Sequence, residues 1–182
     1  MIYHVNAIAG DDRNPGSEAR PWQTLQWAAQ AARPGDRVVV HRGNYCGATR
    51  IRVAGTEWKT VEPYETLLSG EWDGQDTRYA PAVLSIEAPR TVVVGFTVVN
   101  ASGHGIGLRG AAADVLIKNC RVHGAARSGI RLFGKNLSRN ATIVNCTITG
   151  CGRAARLNPE LRGHGIELTF GHGVMIANCT IA

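Results

Sequence analysis

Three short segments of the chain share the pattern Gly-Ile-x-Leu, and residues with chemically capable side chains lie between the apolar positions. The segments read His-Gly-Ile-Gly-Leu at 104–108, Ser-Gly-Ile-Arg-Leu at 128–132 and His-Gly-Ile-Glu-Leu at 164–168. Successive side chains of a β-strand point to opposite faces, so inward Ile and Leu leave the residues between them pointing outward. This alternation places Arg131 and Glu167 in one outward column and Arg109 in the next. His104 and His164 lie where their strands begin.

A guanidinium, a carboxylate and an imidazole on one face could perform β-elimination on a uronic acid. Arg109 or Arg131 would hold the substrate carboxylate by paired hydrogen bonds. A base would remove the proton beside that carboxylate, whose neutralisation stabilises the resulting anion. His164 is a suitable base at neutral pH. We predict His164, Arg131 and Glu167 as catalytic residues; the alternative is that Arg131 and Glu167 form a surface ion pair of little energetic value.

Residues 151–163 interrupt the repeat just before the last of these strands and carry three arginines. A basic insertion beside an outward face would form one wall of a cleft for an anionic polymer. The residues predicted to bind substrate are Arg109, Arg153, Arg156 and His104. His104 also fits a simpler interpretation as an exposed strand residue. A paired-carboxylate glycosidase is disfavoured because Glu87 and Glu167 lie three repeats apart.

The charge balance favours an anionic partner. The chain has 20 basic and 14 acidic residues and a formal net charge of +6. A positive surface attracts polyanions, although the same charge serves solubility alone. We expect an acidic polysaccharide as partner, no nucleic acid, and no membrane association, since no apolar run is long enough to span a bilayer.

A second repeat alternates with the first and contains an Asn-Cys pair. The pairs are Asn119-Cys120, Asn145-Cys146 and Asn178-Cys179. A repeat of about 24 residues is too short for a strand–helix–strand crossover unit, so each repeat is predicted to be strand, turn, strand, turn. One such repeat cannot bury its apolar face alone, but stacked coils form a continuous core. The three cysteines are then predicted to form an inward ladder of unpaired thiols above Phe96, with metal binding as the alternative.

The N-terminal third differs from the repeats. The pattern of apolar residues at 24–32 predicts an amphipathic helix with Thr24 as N-cap. Residues 37–41 (Arg-Val-Val-Val-His) are predicted to form the first strand of the stacked column. The helix would cover the bottom coil, whose strand edges and apolar side chains would otherwise face water.

These features resemble the pectate-lyase-like right-handed β-helix superfamily, and most closely its branch with the family nine polysaccharide lyases. The stretches that carry the resemblance are residues 3–6, 10–16, 21–26 and 33–45, followed by the coil repeats to residue 182. The resemblance implies an all-β, right-handed parallel β-helix of about five coils with an N-terminal amphipathic capping helix. It also implies an extracellular or cell-surface location, although the first residues contain no signal-peptide pattern.

The resemblance leaves catalysis open, because the superfamily includes lyases, hydrolases, epimerases, tailspikes and adhesins. Catalytic members are usually longer, and the acidic cluster of a calcium-dependent lyase is missing. We expect no cofactor, with calcium at Glu71, Asp73 and Asp76 as the alternative. The non-enzymatic alternative is a glycan-binding or structural module, such as part of a longer surface protein.

Two segments are predicted within the chain: an N-terminal strand and capping helix at 1–35, and β-helix coils at 36–182. The last repeat has no capping helix after it. Uncapped coils expose backbone groups and apolar ladders. We therefore predict a homo-oligomer formed through the C-terminal coil, most simply end to end, which light scattering would test.

Overall fold

A computed structural model of the chain shows a parallel β-helix of three sheets. It describes residues 1–62, 65–70, 81–134, 139–156, 163–169 and 172–182, with backbone only for 155 and 156. Sheet 1 contains β1 Ile2–Val5, β2 Arg37–Val40, β5 Glu57–Thr60, β8 Val92–Val94, β11 Leu116–Lys118, β14 Thr142–Val144 and β17 Met175–Ala177. Sheet 2 contains β3 Gly43–Cys46, β6 Thr66–Ser69, β9 Thr97–Val99, β12 Arg121–His123, β15 Thr147–Thr149 and β18 Thr180–Ile181. Sheet 3 contains β4 Thr49–Ile51, β7 Leu84–Ile86, β10 Ile106–Leu108, β13 Ile130–Leu132 and β16 Ile166–Leu168.

Each coil contributes one strand to each sheet. Within the described residues, β2 to β16 form five complete coils, and β17 and β18 begin a sixth, which confirms the predicted number. The prediction of two strands per coil is wrong, because each Asn-Cys segment contains two strands separated by a bend. The first strand of the column was also misplaced: β1 precedes β2 in sheet 1, with Ile2 opposite Arg37 and Val5 opposite Val40.

The bend between sheets 1 and 2 depends on asparagine. Asn119, Asn145 and Asn178 have φ values of 55°, 54° and 51°, in the left-handed region that asparagine tolerates better than most residues. The Asn145 side-chain amide donates to the Asn119 side-chain oxygen at 3.3 Å. Stacked asparagines at this bend therefore explain why Asn precedes Cys in the three Asn-Cys repeats.

The cysteine ladder lies inside the coil, as predicted. Cys120 and Cys146 are buried, Cys179 is half-buried, and all three are free thiols. The Cys120 thiol donates to the Lys118 carbonyl at 3.4 Å. Its hydrogen bond with Cys146, followed by burial, holds the pKa of Cys120 well above its usual value. Cys120 therefore acts as a small buried apolar group rather than a reactive thiol.

The glycine of the Gly-Ile-x-Leu pattern allows neighbouring coils to approach closely. A Cβ at Gly105 would lie 2.4 Å from Val122 Cγ1 and 2.6 Å from the Gly129 carbonyl oxygen. A Cβ at Gly129 would lie 2.3 Å from Ile148 Cγ2. Since real Cβ atoms do not approach other atoms so closely, each glycine is required by the stacking of one coil on the next.

Helix α1 (Leu25–Ala31) covers the first coil. Thr24 is its N-cap and accepts a hydrogen bond from the Trp27 backbone amide at 3.1 Å. The helix ends at Ala31, one residue before the predicted end at residue 32. Leu25 and Ala28 are buried in the core, which extends from β1 to β15. The predicted amphipathic cap is confirmed.

The last strands present apolar side chains to solvent. Leu168, Met175, Ile176 and Ile181 are 49%, 54%, 41% and 52% exposed. Leu132, Ile143 and Ile148 are the equivalents of Leu168, Ile176 and Ile181 in the preceding coil, and all three are fully buried. The homo-oligomer through this end stays a prediction.

Candidate functional site

The outward side chains of sheet 3 form two columns, as the alternation predicted. The strand register aligns Arg50, Ser85, Gly107, Arg131 and Glu167 in the first column. Ladder hydrogen bonds extend the second column through Arg52, Glu87, Arg109, Phe133 and Thr169. We call these two columns the outer face of sheet 3. Arg50 and Arg52 were not predicted, because β4 lacks the Gly-Ile-x-Leu pattern.

Arg131 and Glu167 form a half-buried ion pair at the last coil. Arg131 Nε lies 3.2 Å from Glu167 Oε1 without hydrogen-bond geometry, and the side chains are 20% and 21% exposed. The Ser128 hydroxyl donates to Glu167 Oε2 at 2.5 Å and accepts the His164 backbone amide at 3.3 Å. Ser128 is fully buried, so the carboxylate is attached to the rigid coil.

The surroundings of Glu167 keep it ionised. Partial burial favours its protonated form, but the Ser128 hydrogen bond and the charge of Arg131 together lower its pKa below the usual range. A carboxylate held in this way accepts hydrogen bonds and orients Arg131. It is poorly suited to donate a proton to a leaving group near neutral pH.

The prediction that His104 is an exposed strand residue is wrong, because the side chain is 4% exposed. Its Nδ1 faces the Ser128 amide at 3.2 Å, and its Nε2 lies 3.0 Å from Arg131 Nη1. Burial, followed by the charges of Arg131 and Arg127, lowers the pKa of His104 to about 4. Both neighbours are N–H donors, which also favours the neutral ring. His104 therefore supports Arg131 from beneath, and its predicted role in contacting substrate stays untested.

Phe133 brings the two predicted arginines together. The guanidinium carbon of Arg131 lies 4.7 Å from the centre of the Phe133 ring, and that of Arg109 lies 5.3 Å from it. Arg109 Nε is also 3.8 Å from Glu87 Oε1, and Arg52 donates to the other oxygen of Glu87 at 3.0 Å. Such cation–π contacts contribute roughly 0.5–1 kcal/mol each at exposed sites. The sequence placed Phe133 in this column but indicated no role for it.

The remaining predicted residues lie at the edge of this cluster or outside the described part. His164 is exposed, and among the described residues no hydrogen bond to its imidazole is present. Arg153 is exposed, and its Nη1 lies 3.2 Å from where a Gly124 Cβ would be, over the turn after β12. The side chain of Arg156 and the predicted calcium residues Glu71, Asp73 and Asp76 lie outside the described residues.

The insertion leaves and rejoins the coil beside the ion pair. The Gly152 amide donates to the carbonyls of Ala125 and Arg127 at 3.1 and 2.7 Å. A Cβ at Gly163 would lie 2.4 Å from the Gly152 Cα, so the two ends of the insertion touch. Gly163 directly precedes His164, which places the base of the insertion at the start of β16.

Neither a metal-ligand cluster nor a membrane-spanning helix is found in the ranges that the structure describes. No three His, Cys, Asp or Glu side chains there are grouped as metal ligands. No helix there is long and apolar enough to cross a bilayer.

The family model for the right-handed β-helix region matches residues 83–182, more than half of the chain. The chain belongs to this right-handed β-helix family. The predicted handedness and fold class are thereby confirmed. The β-helix protein is also 25% identical over 127 residues to the uncharacterised protein YwoF of Bacillus subtilis strain 168. That match covers 63% of this chain and 27% of YwoF.

Solved structures with the same fold are longer than this β-helix protein. Pectate lyase Pel9A superposes with a TM-score of 0.74 and 15% identity, over 98% of this chain and 46% of the lyase. A rhamnogalacturonan lyase superposes with a TM-score of 0.69 and 16% identity, over 98% of this chain and 56% of that lyase. The GH136 lacto-N-biosidase of Eubacterium ramulus superposes with a TM-score of 0.67 and 13% identity, over 98% of this chain and 40% of the lacto-N-biosidase. These similarities confirm the predicted pectate-lyase-like fold, and the chain spans about half of their length or less.

Proposed function

We propose that the outer face of sheet 3 binds an acidic polysaccharide. The observation that carries this proposal is the Phe133 ring with the guanidinium groups of Arg109 and Arg131 beside it. We call these three residues the arginine–phenylalanine site. It combines an aromatic surface with two fixed cations, which suits a sugar ring that carries a carboxylate.

The two arginines contribute differently. Arg109 is 42% exposed, and its contacts in the described part of the chain are the Phe133 ring and a long ion pair with Glu87, so its guanidinium is accessible to a ligand carboxylate. Arg131 is 20% exposed and is held between Glu167 and His104. A cation held in place before binding loses little side-chain entropy when the ligand arrives. Arg131 therefore fixes the Phe133 ring and the local positive potential, and Arg109 makes the direct contact.

The structural neighbours support a polysaccharide ligand. Two of them are named as a pectate lyase and a rhamnogalacturonan lyase, and both share the parallel β-helix. Their identity to this chain is 15% and 16%, so the substrate class is part of our proposal. The net charge of +6 favours an acidic polymer over a neutral one.

Cleavage by β-elimination extends the same proposal. The arginine–phenylalanine site would bind the substrate carboxylate, and His164, which is exposed at the start of β16, would be the base for the proton beside that carboxylate. His164 would take this proton, its electron pair would form the new carbon–carbon double bond, and the glycosidic oxygen would leave with the electrons of its bond. Glu167 has no proton to give and acts only by orienting Arg131. The alternative is a non-catalytic glycan-binding or structural module.

Arg109→Ala is expected to weaken binding of oligogalacturonate about tenfold, because one charge-assisted hydrogen-bond pair contributes roughly 1.5 kcal/mol or more. The measurement is isothermal titration calorimetry at fixed ionic strength, repeated with alginate and glycosaminoglycan oligomers. Arg37→Ala is the matched control, because it removes the same charge from sheet 1, where the side chain is 52% exposed. Equal losses in the two variants would reduce the effect to net charge and contradict the proposed site.

His164→Ala is expected to lower turnover at least tenfold while changing affinity little, because a general base acts mainly in the transition state. Turnover is followed by the ultraviolet absorbance of unsaturated uronate released from pectate, alginate and glycosaminoglycans. His172→Ala is the control, since this histidine precedes β17 in sheet 1 rather than sheet 3. Binding without any absorbance change in the wild type would favour the non-catalytic module.

A further inference from the structure

A cleft of about 420 Å³ lies at the capped end of the molecule, between β1, helix α1 and the loop 12–15. Its walls include three aromatic side chains, Tyr3, Trp22 and Trp27, together with Arg33. The volume is in the range of small-ligand sites. None of these residues belongs to the outer face of sheet 3.

Trp22 and Tyr3 form a rigid aromatic wall. Their rings are stacked with centroids 4.5 Å apart and planes 24° from parallel. The Trp22 indole N–H donates to the Asn14 carbonyl at 2.8 Å. Gly16 packs against the same indole, because a Cβ at Gly16 would lie 2.5 Å from Trp22 Cε2. This wall is formed before any ligand arrives.

Trp27 is the unexplained residue of the cleft. Helix α1 packs on the coil through Leu25, Ala28 and Ala29, and Trp27 is left 43% exposed. Trp27 and Ala31, one turn apart, both line the cleft. The packing of the helix does not need an indole at this exposed position, and leaving it exposed costs hydrophobic free energy.

Charged groups at the rim complement the aromatic surface. Arg33 is exposed just after the helix. The Asp12 carboxylate accepts the Gln23 and Thr24 amides at 2.8 and 2.9 Å, so its position is fixed. The Thr24 hydroxyl donates to the other oxygen of Asp12 at 2.7 Å, and Arg13 lines the cleft as well as Arg33. The cleft therefore offers aromatic surface together with arginine donors and a carboxylate acceptor. A pyranose ring matches this set, because its C–H face carries partial positive charge and packs on the negative face of an indole, and its hydroxyls donate and accept.

We propose that this cleft is a second carbohydrate site, which stacks one pyranose unit on Trp27 and hydrogen-bonds it through Arg33 and Asp12. The site is separate from the arginine–phenylalanine site. Gln26, Ala29 and Gln30 on another side of α1 face Arg50 and Arg52 at the start of sheet 3, whereas Trp27 and Ala31 face the cleft. The second site does not depend on any activity of the first. Together the two sites would hold a long polymer more tightly than either would alone.

Trp27→Ala is expected to weaken binding of trigalacturonate or cellotriose at the cleft about tenfold, the effect of losing one favourable aromatic contact. Tryptophan fluorescence reports the binding in the wild type and in variants that keep Trp27, and isothermal titration calorimetry reports it in the Trp27 variants, which lack this fluorophore. Trp27→Phe should recover most of the affinity, and Arg33→Ala should weaken binding while leaving the indole in place. The thermal midpoint of each variant shows whether the fold is intact, since Trp27 and Arg33 are exposed.

The Arg109→Ala variant separates the two sites. It should leave the titration with cellotriose, which carries no carboxylate, unchanged, whereas Trp27→Ala should leave the Arg109-dependent binding of oligogalacturonate unchanged. If Arg109→Ala changes the binding of no ligand but Trp27→Ala does weaken binding, the function proposed for sheet 3 is contradicted and the carbohydrate site in the cleft is supported. If the wild type shows no saccharide-dependent fluorescence change, or if Trp27→Ala binds as tightly, the cleft is not a carbohydrate site.

Discussion

Gly105→Ala is expected to lower the free energy of unfolding by about 3 kcal/mol, roughly two orders of magnitude in the folding equilibrium. The new methyl group would lie 2.6 Å from the Gly129 carbonyl oxygen and 2.4 Å from Val122 Cγ1. The carbonyl belongs to the next coil and accepts a ladder hydrogen bond from the Ile106 amide at 2.9 Å. Relief therefore requires the two coils to separate, which lengthens ladder hydrogen bonds and opens the core.

Two other glycine substitutions make this prediction specific. Gly107→Ala adds the same methyl group two residues later, where the atom that a Cβ meets within the described residues is the Ala82 Cβ at 3.0 Å, so a much smaller loss is expected. At Gly165 the close atom is Ile181 Cγ2 at 2.2 Å, on a side chain that is 52% exposed and can move aside. Denaturant unfolding should rank the losses Gly105, Gly165, Gly107. Equal losses at all three positions would show that the strand propensity of alanine, rather than contact between neighbouring coils, determines the loss of stability.

Acidification from pH 7 to pH 4 is expected to destabilise the wild type by roughly 3 kcal/mol more than a His104→Gln variant. Burial and the neighbouring arginines lower the pKa of His104 to about 4 in the folded state, against 6.5 for the ordinary side chain. Below pH 6.5 the His104 side chain therefore binds a proton in the unfolded chain but stays neutral in the folded chain until the pH approaches 4. The stabilising contribution is complete above pH 6.5 and is lost as the pH falls towards 4.

The comparison of variants isolates this effect from general acid unfolding. His104→Gln has no titrating group at this position, so the stability of the wild type relative to this variant should fall by roughly 3 kcal/mol between pH 7 and pH 4. His123→Gln, which replaces an exposed ring hydrogen-bonded to Thr149 at 2.9 Å, is the control for removing a histidine elsewhere on the β-helix. Urea unfolding at half-unit pH steps gives the three curves. A constant gap between wild type and His104→Gln would show that His104 does not titrate as its surroundings imply.

The two predictions concern neighbouring residues, Gly105 and His104, at the start of strand β10 in sheet 3. Gly105 holds coils together at the inside of sheet 3, and its neighbour His104 lies beneath the outer face, against Arg131. A substitution at either position therefore reaches the arginine–phenylalanine site through the backbone of one strand. Ligand binding should be measured in both sets of variants at pH 7, where the wild-type His104 is neutral.

The repeats in the sequence determined the fold and much of the site. Strand alternation has a period of two, so the inward Ile and Leu positions required Arg131 and Glu167 to share an outward column, and the strand register confirms it. The Asn-Cys pairs likewise determined the thiol ladder, although the bend at each asparagine, which divides the segment into two strands, was not predicted. These are local properties of one coil that stacking repeats, which explains why they could be predicted without tertiary information.

Only the tertiary structure decided what lies over and beside the outward positions. Alternation assigns a side chain to a face of the sheet but does not say whether another segment covers it, and so His104 was expected to be exposed and is buried. The stacking of Arg109 and Arg131 on Phe133 depends on the rotamers of three side chains in two coils. The cleft at Trp27 depends on how α1 and the loop 12–15 dock together. Such contacts join residues that no repeat relates, so no period in the sequence encodes them.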